Sequence, residues 1–384
     1  MYDLVVKGAK VIDPSQELSD ILDIGIQGNK IAAIEKEIPP AECGKVIDAR
    51  DKIATPGLID LHSHLYQHVI PRNGIAPDIG GVKAGVTTMV DAGSSGCITF
   101  PGLRNFIISP ALTSVYCFLH ICPTGLCMKP EIRHWDDIDL ESTIRTVEEN
   151  RDIIKGIKFR FCGPLVREEG IDVFKKAKKA ATETRLPLMV HIGDTDAIES
   201  WNLGSEFLPL LEAGDILSHI YTDQPGRVID RNGTPLPQLL EARQRGVILD
   251  IARGKKNINF EVAKLGLEQG ILPFTISSDL TSGNYMGPVY NLPTVMSQFM
   301  ALGLDLEQVI RMTTVNPARA LGLDNHLGSL EVGRHADVSI FQIVQGKWTF
   351  VDSAGNSLTA RKVLLPVITI KSGQAIMAES TFKG

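Results

Sequence analysis

Six polar side chains fall at or near the ends of short apolar runs: His62, His64, Lys158, His191, His219 and Asp279. Imidazole nitrogens and carboxylate oxygens are donors that a borderline divalent cation such as zinc prefers. His62 and His64 stand at i and i+2, so an extended chain points both to one face. A lone histidine is more often a satisfied core or surface residue than a ligand. Six such groups at the same place in successive runs argue for a shared centre. His120 closes a further run and is a candidate either to hold a ligand in place or to touch substrate. His68, His134, His326 and His335 fall in loops or helices and read as solvated.

The spacing dictates the scaffold. Apolar runs at 58–64, 87–93, 114–122, 156–161, 187–193, 215–221, 247–252 and 274–280 end near His62, Asp91, His120, Lys158, His191, His219, Asp250 and Asp279. Successive markers lie 28 to 38 residues apart, the length of a strand, a helix and two loops. Eight such units predict an α/β fold, a (β/α)8 TIM-like barrel over 53–334, with its chemistry at the carboxyl ends of the strands. An open doubly wound sheet is the alternative, but no G-x-G-x-x-G follows the first strand. Residues 1–52 and 335–384 read instead as short strands broken by turns such as Gly28-Asn29-Lys30. They are expected to form a small β-sandwich domain built from both termini. Pro366 within Leu365–Ile370 predicts an edge strand there.

Composition narrows the function. Hydrophobic residues make up 43% of the 384 positions, charged residues 22%, and the net charge is −6, an ordinary globular balance. The absence of a basic stripe argues against nucleic acid, and the absence of a long apolar run argues against a membrane span. No signal-peptide pattern opens the chain, and the six cysteines form no C-x-x-C pair, so a cytoplasmic location is expected. The expected partner is a small molecule, with homo-oligomer formation left open. No G-x-S-x-G elbow is present, and Ser94-Ser95 has the wrong spacing for one.

The stretch Ala54–His64, reading ATPGLIDLHSH, resembles the signature of the amidohydrolase superfamily of metal-dependent hydrolases. The order H-x-H, Lys, His, His, Asp resembles its two-metal members. Asn316–Gly322 followed by Gly328–Asp337 resembles the end of their barrel. The resemblance implies two divalent metal ions, with zinc expected. His62, His64 and Asp279 would bind the buried ion, and His191 and His219 the second. Lys158 would bridge them as a carbamate derived from carbon dioxide. A lysine must be neutral to capture carbon dioxide, and burial between Ile157 and Phe159 favours that form; a simple lysine–carboxylate pair is the alternative. Two metals would acidify a bridging water and polarise a carbonyl, with Asp279 moving the proton to the leaving group.

Departures from the pattern bear on substrate. Deaminases of the superfamily usually lack the bridging lysine and read H-x-x-E after strand five, whereas Asp194 follows His191 here. An amide or ester is therefore favoured over an amidine. Dihydroorotases usually read H-x-H-x-R, and residue 66 is Tyr66. Hydantoinase-like enzymes are longer. The chain most resembles dihydroorotase-like bacterial metallohydrolases that act as deacetylases or small-amide hydrolases. Cyclic-amide hydrolysis, deamination and a non-catalytic scaffold stay as alternatives. Arg160, two residues past Lys158, is expected to face the pocket and hold a substrate carboxylate. Tyr221, two past His219, and Tyr66, two past His64, are candidate substrate contacts; packing or ion pairing is the plain alternative for all three. Loop 281–292 is expected to wall or cover the pocket.

Overall fold

Strands from the two ends of the chain mix runs of buried positions with runs of exposed ones, whereas the central strands are buried on both faces. The computed structural model describes residues 1–70 and 73–382. The first five strands are β1 (Tyr2–Asp13), β2 (Leu18–Gln27), β3 (Lys30–Glu35), β4 (Cys43–Asp48) and β5 (Ile53–Pro56). The central strands are β6 (Leu58–Ser63), β7 (Val86–Gly96), β8 (Ser114–His120), β9 (Ile154–Arg160), β10 (Leu188–His191), β11 (Ile216–Ser218) and β12 (Ile248–Asp250). β13 (Val338–Val351), β14 (Ser357–Lys371) and β15 (Gln374–Met377) follow.

The terminal strands share one hydrogen-bonded sheet in the order β15-β14-β13-β5-β1-β2-β3, with β4 beside β1. Val6, Val11, Ile24, Ile26, Val338 and Ile340 fill its inner face. Ile53–Pro56, placed by the sequence reading at the start of the barrel, pairs instead with β1 and β13. The expected edge strand around Pro366 is also corrected, because β14 lies between β13 and β15. Proline is tolerated there because it faces Phe341 at a register shift, and pairing with β15 begins only at Ile368. The tip of the β13–β14 hairpin reaches the central sheet. Val351 O accepts from Arg253 Nη2 at 2.5 Å, Asp352 Oδ2 from the Phe260 N–H at 2.8 Å, and Ser353 N–H donates to Ile258 O at 3.0 Å.

The seven central strands form a parallel sheet in strict chain order, β6 to β12. Their near-continuous burial follows from helices on the outer face. In the helix Ile171–Thr184, Val173, Phe174, Ala177, Ala180, Ala181 and Thr184 are the buried positions, one stripe at helical spacing. Asn259 and Asn291 cap the helices Phe260–Glu268 and Leu292–Ala301 by accepting their first free N–H groups. The sheet curls, and the segment around Asp279 reaches both its edges. Thr275 bridges Asp250 and Leu280 bridges Ser63, both in parallel sense. Arg253 N–H donates to Ser277 O (3.0 Å), and Asp279 N–H donates to His62 O (2.7 Å). The architecture is thus mixed α/β around a curled parallel sheet. Among the described residues, no helix is long and apolar enough to cross a membrane.

Candidate active site

The carboxyl ends of the central strands bring the six predicted ligands together. His62 is on β6 and His64 just beyond it, Lys158 is on β9, and His191 closes β10. His219 follows the end of β11 and Asp279 lies in the segment that bridges the two edges of the sheet, both with left-handed backbone, φ +70° and +50°, a strain that non-glycine residues accept where the surroundings enforce it. One ligand atom each from His62, His64 and Asp279 lies within 4.8 Å of the others. The Asp279 carboxylate is 3.3 Å from His64 Nε2 and 3.9 Å from His62 Nε2. The His219 ring sits 5.3 Å from that of His62 and 4.2 Å from that of His191, centre to centre. Lys158 Nζ is 3.3 Å from His62 Nε2.

Three of the four imidazoles are oriented from behind. His62 Nδ1 meets Ser218 Oγ at 3.2 Å, and that hydroxyl donates to Asp250 at 3.1 Å. His64 Nδ1 meets Ser94 Oγ at 3.1 Å, and Ser94 is hydrogen-bonded to Asp91. His219 Nδ1 donates to Ala252 O at 2.6 Å. These contacts leave the Nε2 lone pairs for a ligand. The serine–aspartate pairs were not assigned a role from sequence. Asp91 and Asp250 are visible there as strand-end markers, but the serines that link them to imidazoles lie 30 and 156 residues from their histidines.

Several observations fit a divalent metal. His219 Nε2 is buried and has no partner among the described residues. Lys158 is fully buried and makes no ion pair among the described residues, so the simple carboxylate pair weighed for it is absent there. Burial pushes its ammonium down to about 7, and a neutral amine is the form that captures carbon dioxide. Burial also pushes His219 down to about 3 and holds His62 and His191 well below the usual imidazole range, the neutral state that a metal requires. Burial opposes the charged form of Asp279, yet the hydrogen bond with His64 and the electrostatic pull of the neighbouring His62 and His219 rings hold its carboxyl below the usual range.

A cavity of about 850 Å³ opens on these groups, lined by His64, Lys158, His191 and Asp279 together with Glu131, Arg160, Arg167, Asp194, Lys255, Lys256 and Asn257. Thr281, Gly283 and Asn284 from the loop after Asp279 also wall it. Arg160 lines the cavity as alternation predicts, but its guanidinium is paired with the buried carboxylate of Glu131. This is the ion pairing weighed for it as the alternative to holding a substrate carboxylate. Tyr221 is fully buried elsewhere, donating to Ile271 O and stacking near Phe299. The i, i+2 rule fails there because β11 ends at Ser218 and the chain turns at His219. Tyr66 likewise lies past the end of β6, and its hydroxyl donates to Thr99 O at 3.0 Å. His120 is buried. Its Nδ1 accepts the Cys122 N–H at 2.9 Å, so Nε2 carries the proton, and that N–H has no partner among the described residues.

Residues 53–360 match the amidohydrolase family. A deacetylase of Agrobacterium fabrum is 34% identical over 367 residues, spanning 95% of this chain and 88% of that protein. A deacetylase of Brucella anthropi is 33% identical over 96% of this chain and 90% of its own. A crystal structure titled as an adenine deaminase superposes with a TM-score of 0.89 at 30% identity, covering 98% of this chain and 100% of that one. One titled as a dihydroorotase gives 0.87 at 31% identity, covering 98% of each chain. The chain belongs to the amidohydrolase family and is a hydrolytic enzyme acting on carbon–nitrogen bonds.

Proposed function

We propose that this enzyme is a binuclear-metal hydrolase that cleaves the amide or ester bond of a small acyl compound, in the manner of a deacetylase. The observation that carries the reading is the fully buried Lys158, without an ion pair among the described residues, beside the imidazoles and Asp279. A bare buried ammonium is costly, whereas a carboxylated lysine between two cations is compensated. His62, His64 and Asp279 would hold one ion, His191 and His219 the other, and carboxylated Lys158 would join them. Two divalent ions, zinc by the donor set, supply Lewis-acid polarisation of a carbonyl and an acidified water. Asp279, kept ionised, takes the proton of the attacking water and passes it to the departing nitrogen or oxygen. The His120 Nε2–H, without a partner among the described residues, offers a donor to negative charge beside Lys158, its partner in strand register.

On this reading the segment 275–280 is the eighth strand of a (β/α)8 barrel that begins at β6 and runs to 334, and residues 1–52 and 335–384, joined by β5, form the companion β-sandwich domain. The deacetylase names of the relatives support acyl cleavage. Asp194 in place of the glutamate of deaminases and Tyr66 in place of the arginine of dihydroorotases weigh the same way. The test is metal analysis together with a library of N-acyl amino acids, acyl esters and cyclic amides. Close to two metal equivalents with turnover of an acyl compound is expected. Protein that folds natively yet takes up no metal overturns the reading.

A further inference from the structure

We infer that the loop Gly254–Asn257, which follows β12, recognises the acidic end of the substrate, and that the substrate is an N-acylated amino acid. The inference rests on the hydrolase reading and deepens it. Gly254 abuts the reacting end of the site: its φ is +53°, and a Cβ there would come within 2.4 Å of Asp279 Oδ2. Arg253 fixes the loop from beneath, donating to Gly254 O at 2.8 Å and to Gln298 Oε1 at 3.0 Å. The next three residues open directly into the cavity that holds Asp279.

The cavity's charges single out this loop. Arg160 is answered by Glu131, and Arg167 by Asp194 at 2.6 Å. Lys255 and Lys256 are exposed and make no hydrogen bond or ion pair among the described residues. The exposed carboxylate of Asp196 can offset one of them. Burial and the positive charges of Arg160 and Lys256 push Lys129, on the same wall, down to about 8, so the cations there crowd one another. An incoming carboxylate relieves that crowding.

Asn257 adds direction. It is only 7% exposed, its Nδ2 lies 3.4 Å from His191 Nε2, and its Oδ1 has no donor among the described residues. A buried amide oxygen left without a donor is unfavourable, and a substrate N–H supplies one. A carboxylate for the lysines and an N–H for Asn257, both beside the scissile carbonyl, describe an N-acyl amino acid.

The test compares N-acetylalanine with N-acetylalaninamide on the zinc-loaded full chain. In the Lys255→Met/Lys256→Met double variant, the ratio of kcat/KM for acid over amide should fall about tenfold, through KM, as expected for exposed charges acting together. Lys255→Arg/Lys256→Arg should restore the ratio, and added salt should lower it in the wild type. An unchanged ratio overturns the inference. If the wild type hydrolyses neither compound, the hydrolase reading fails for this chemistry, and calorimetric binding of N-acetylalanine judges the loop instead. Binding about tenfold weaker in the double variant supports it, whereas equal binding, or none, overturns it.

Discussion

The two ends of the central sheet are made from the same strands and differ in almost every physical respect. At the carboxyl end, buried imidazoles, carboxylates and a lysine face a polar cavity. At the amino end, a cavity of about 470 Å³ is lined by Val247, Leu249, Leu272, Phe274 and Met312, with the exposed Arg243 and Arg319 beside them. β12 carries the whole change within three residues, from Ile248 and Leu249 to Asp250. Backbone strain divides the same way. Left-handed turns near the amino end fall largely to Gly214, Gly246 and Gly270, with Arg185 the exception, whereas at the site His219, Ala252 and Asp279 take them alongside Gly93, Gly193 and Gly254. Relaxed geometry is found where only packing is needed, and strained geometry where a side chain must be aimed.

This contrast can be broken experimentally. The largest effect is expected at the carboxyl end. His219→Asn or Asp279→Asn should lower kcat/KM on the order of a thousandfold with native circular dichroism and lost metal. Activity near wild type in both would remove His219 and Asp279 from the centre. At the amino end, Leu249→Ala should cost about 2–5 kcal/mol of stability and leave kcat/KM at moderate temperature unaltered; urea unfolding beside steady-state kinetics reads both. Ser218→Ala and Ser94→Ala test the orienting contacts and should weaken metal binding about 10–100-fold, measured by competition with a chelator. The smallest effect is expected for Arg160→Met. It strands Glu131 and should slow acidic and neutral substrates alike, by about tenfold or less. Selective loss on acids alone would return the carboxylate-binding role to Arg160.

Much of the site is legible in sequence because each strand ends in an apolar run followed by a polar residue, so position along the chain reports position in space. His62, His64, Lys158, His191, His219 and Asp279 all follow that rule. Alternation, however, predicts facing only while a strand continues. β6 stops at Ser63 and β11 at Ser218, which is why Tyr66 and Tyr221 point elsewhere. The Arg160–Glu131 pair joins residues 29 apart, and no local pattern announces it. In the terminal sheet, β4 escapes notice because most of its residues are exposed, and β15 because it is four residues long with no buried position.

The hairpin tip at Val351–Ser353 grips the chain between Arg253 and Phe260, and this contact sets an order of events during synthesis. A ribosome that has reached residue 340 has already delivered all six site residues and the loop beside them, yet not the carbonyl that receives Arg253. Until the final strands emerge, the Arg253 guanidinium lacks one of its three acceptors and the loop one of its anchors. The hairpin tip therefore completes a surface encoded 98 codons before it. If the loop meets the substrate as proposed, changes at the hairpin tip are expected to reshape substrate choice from a distance.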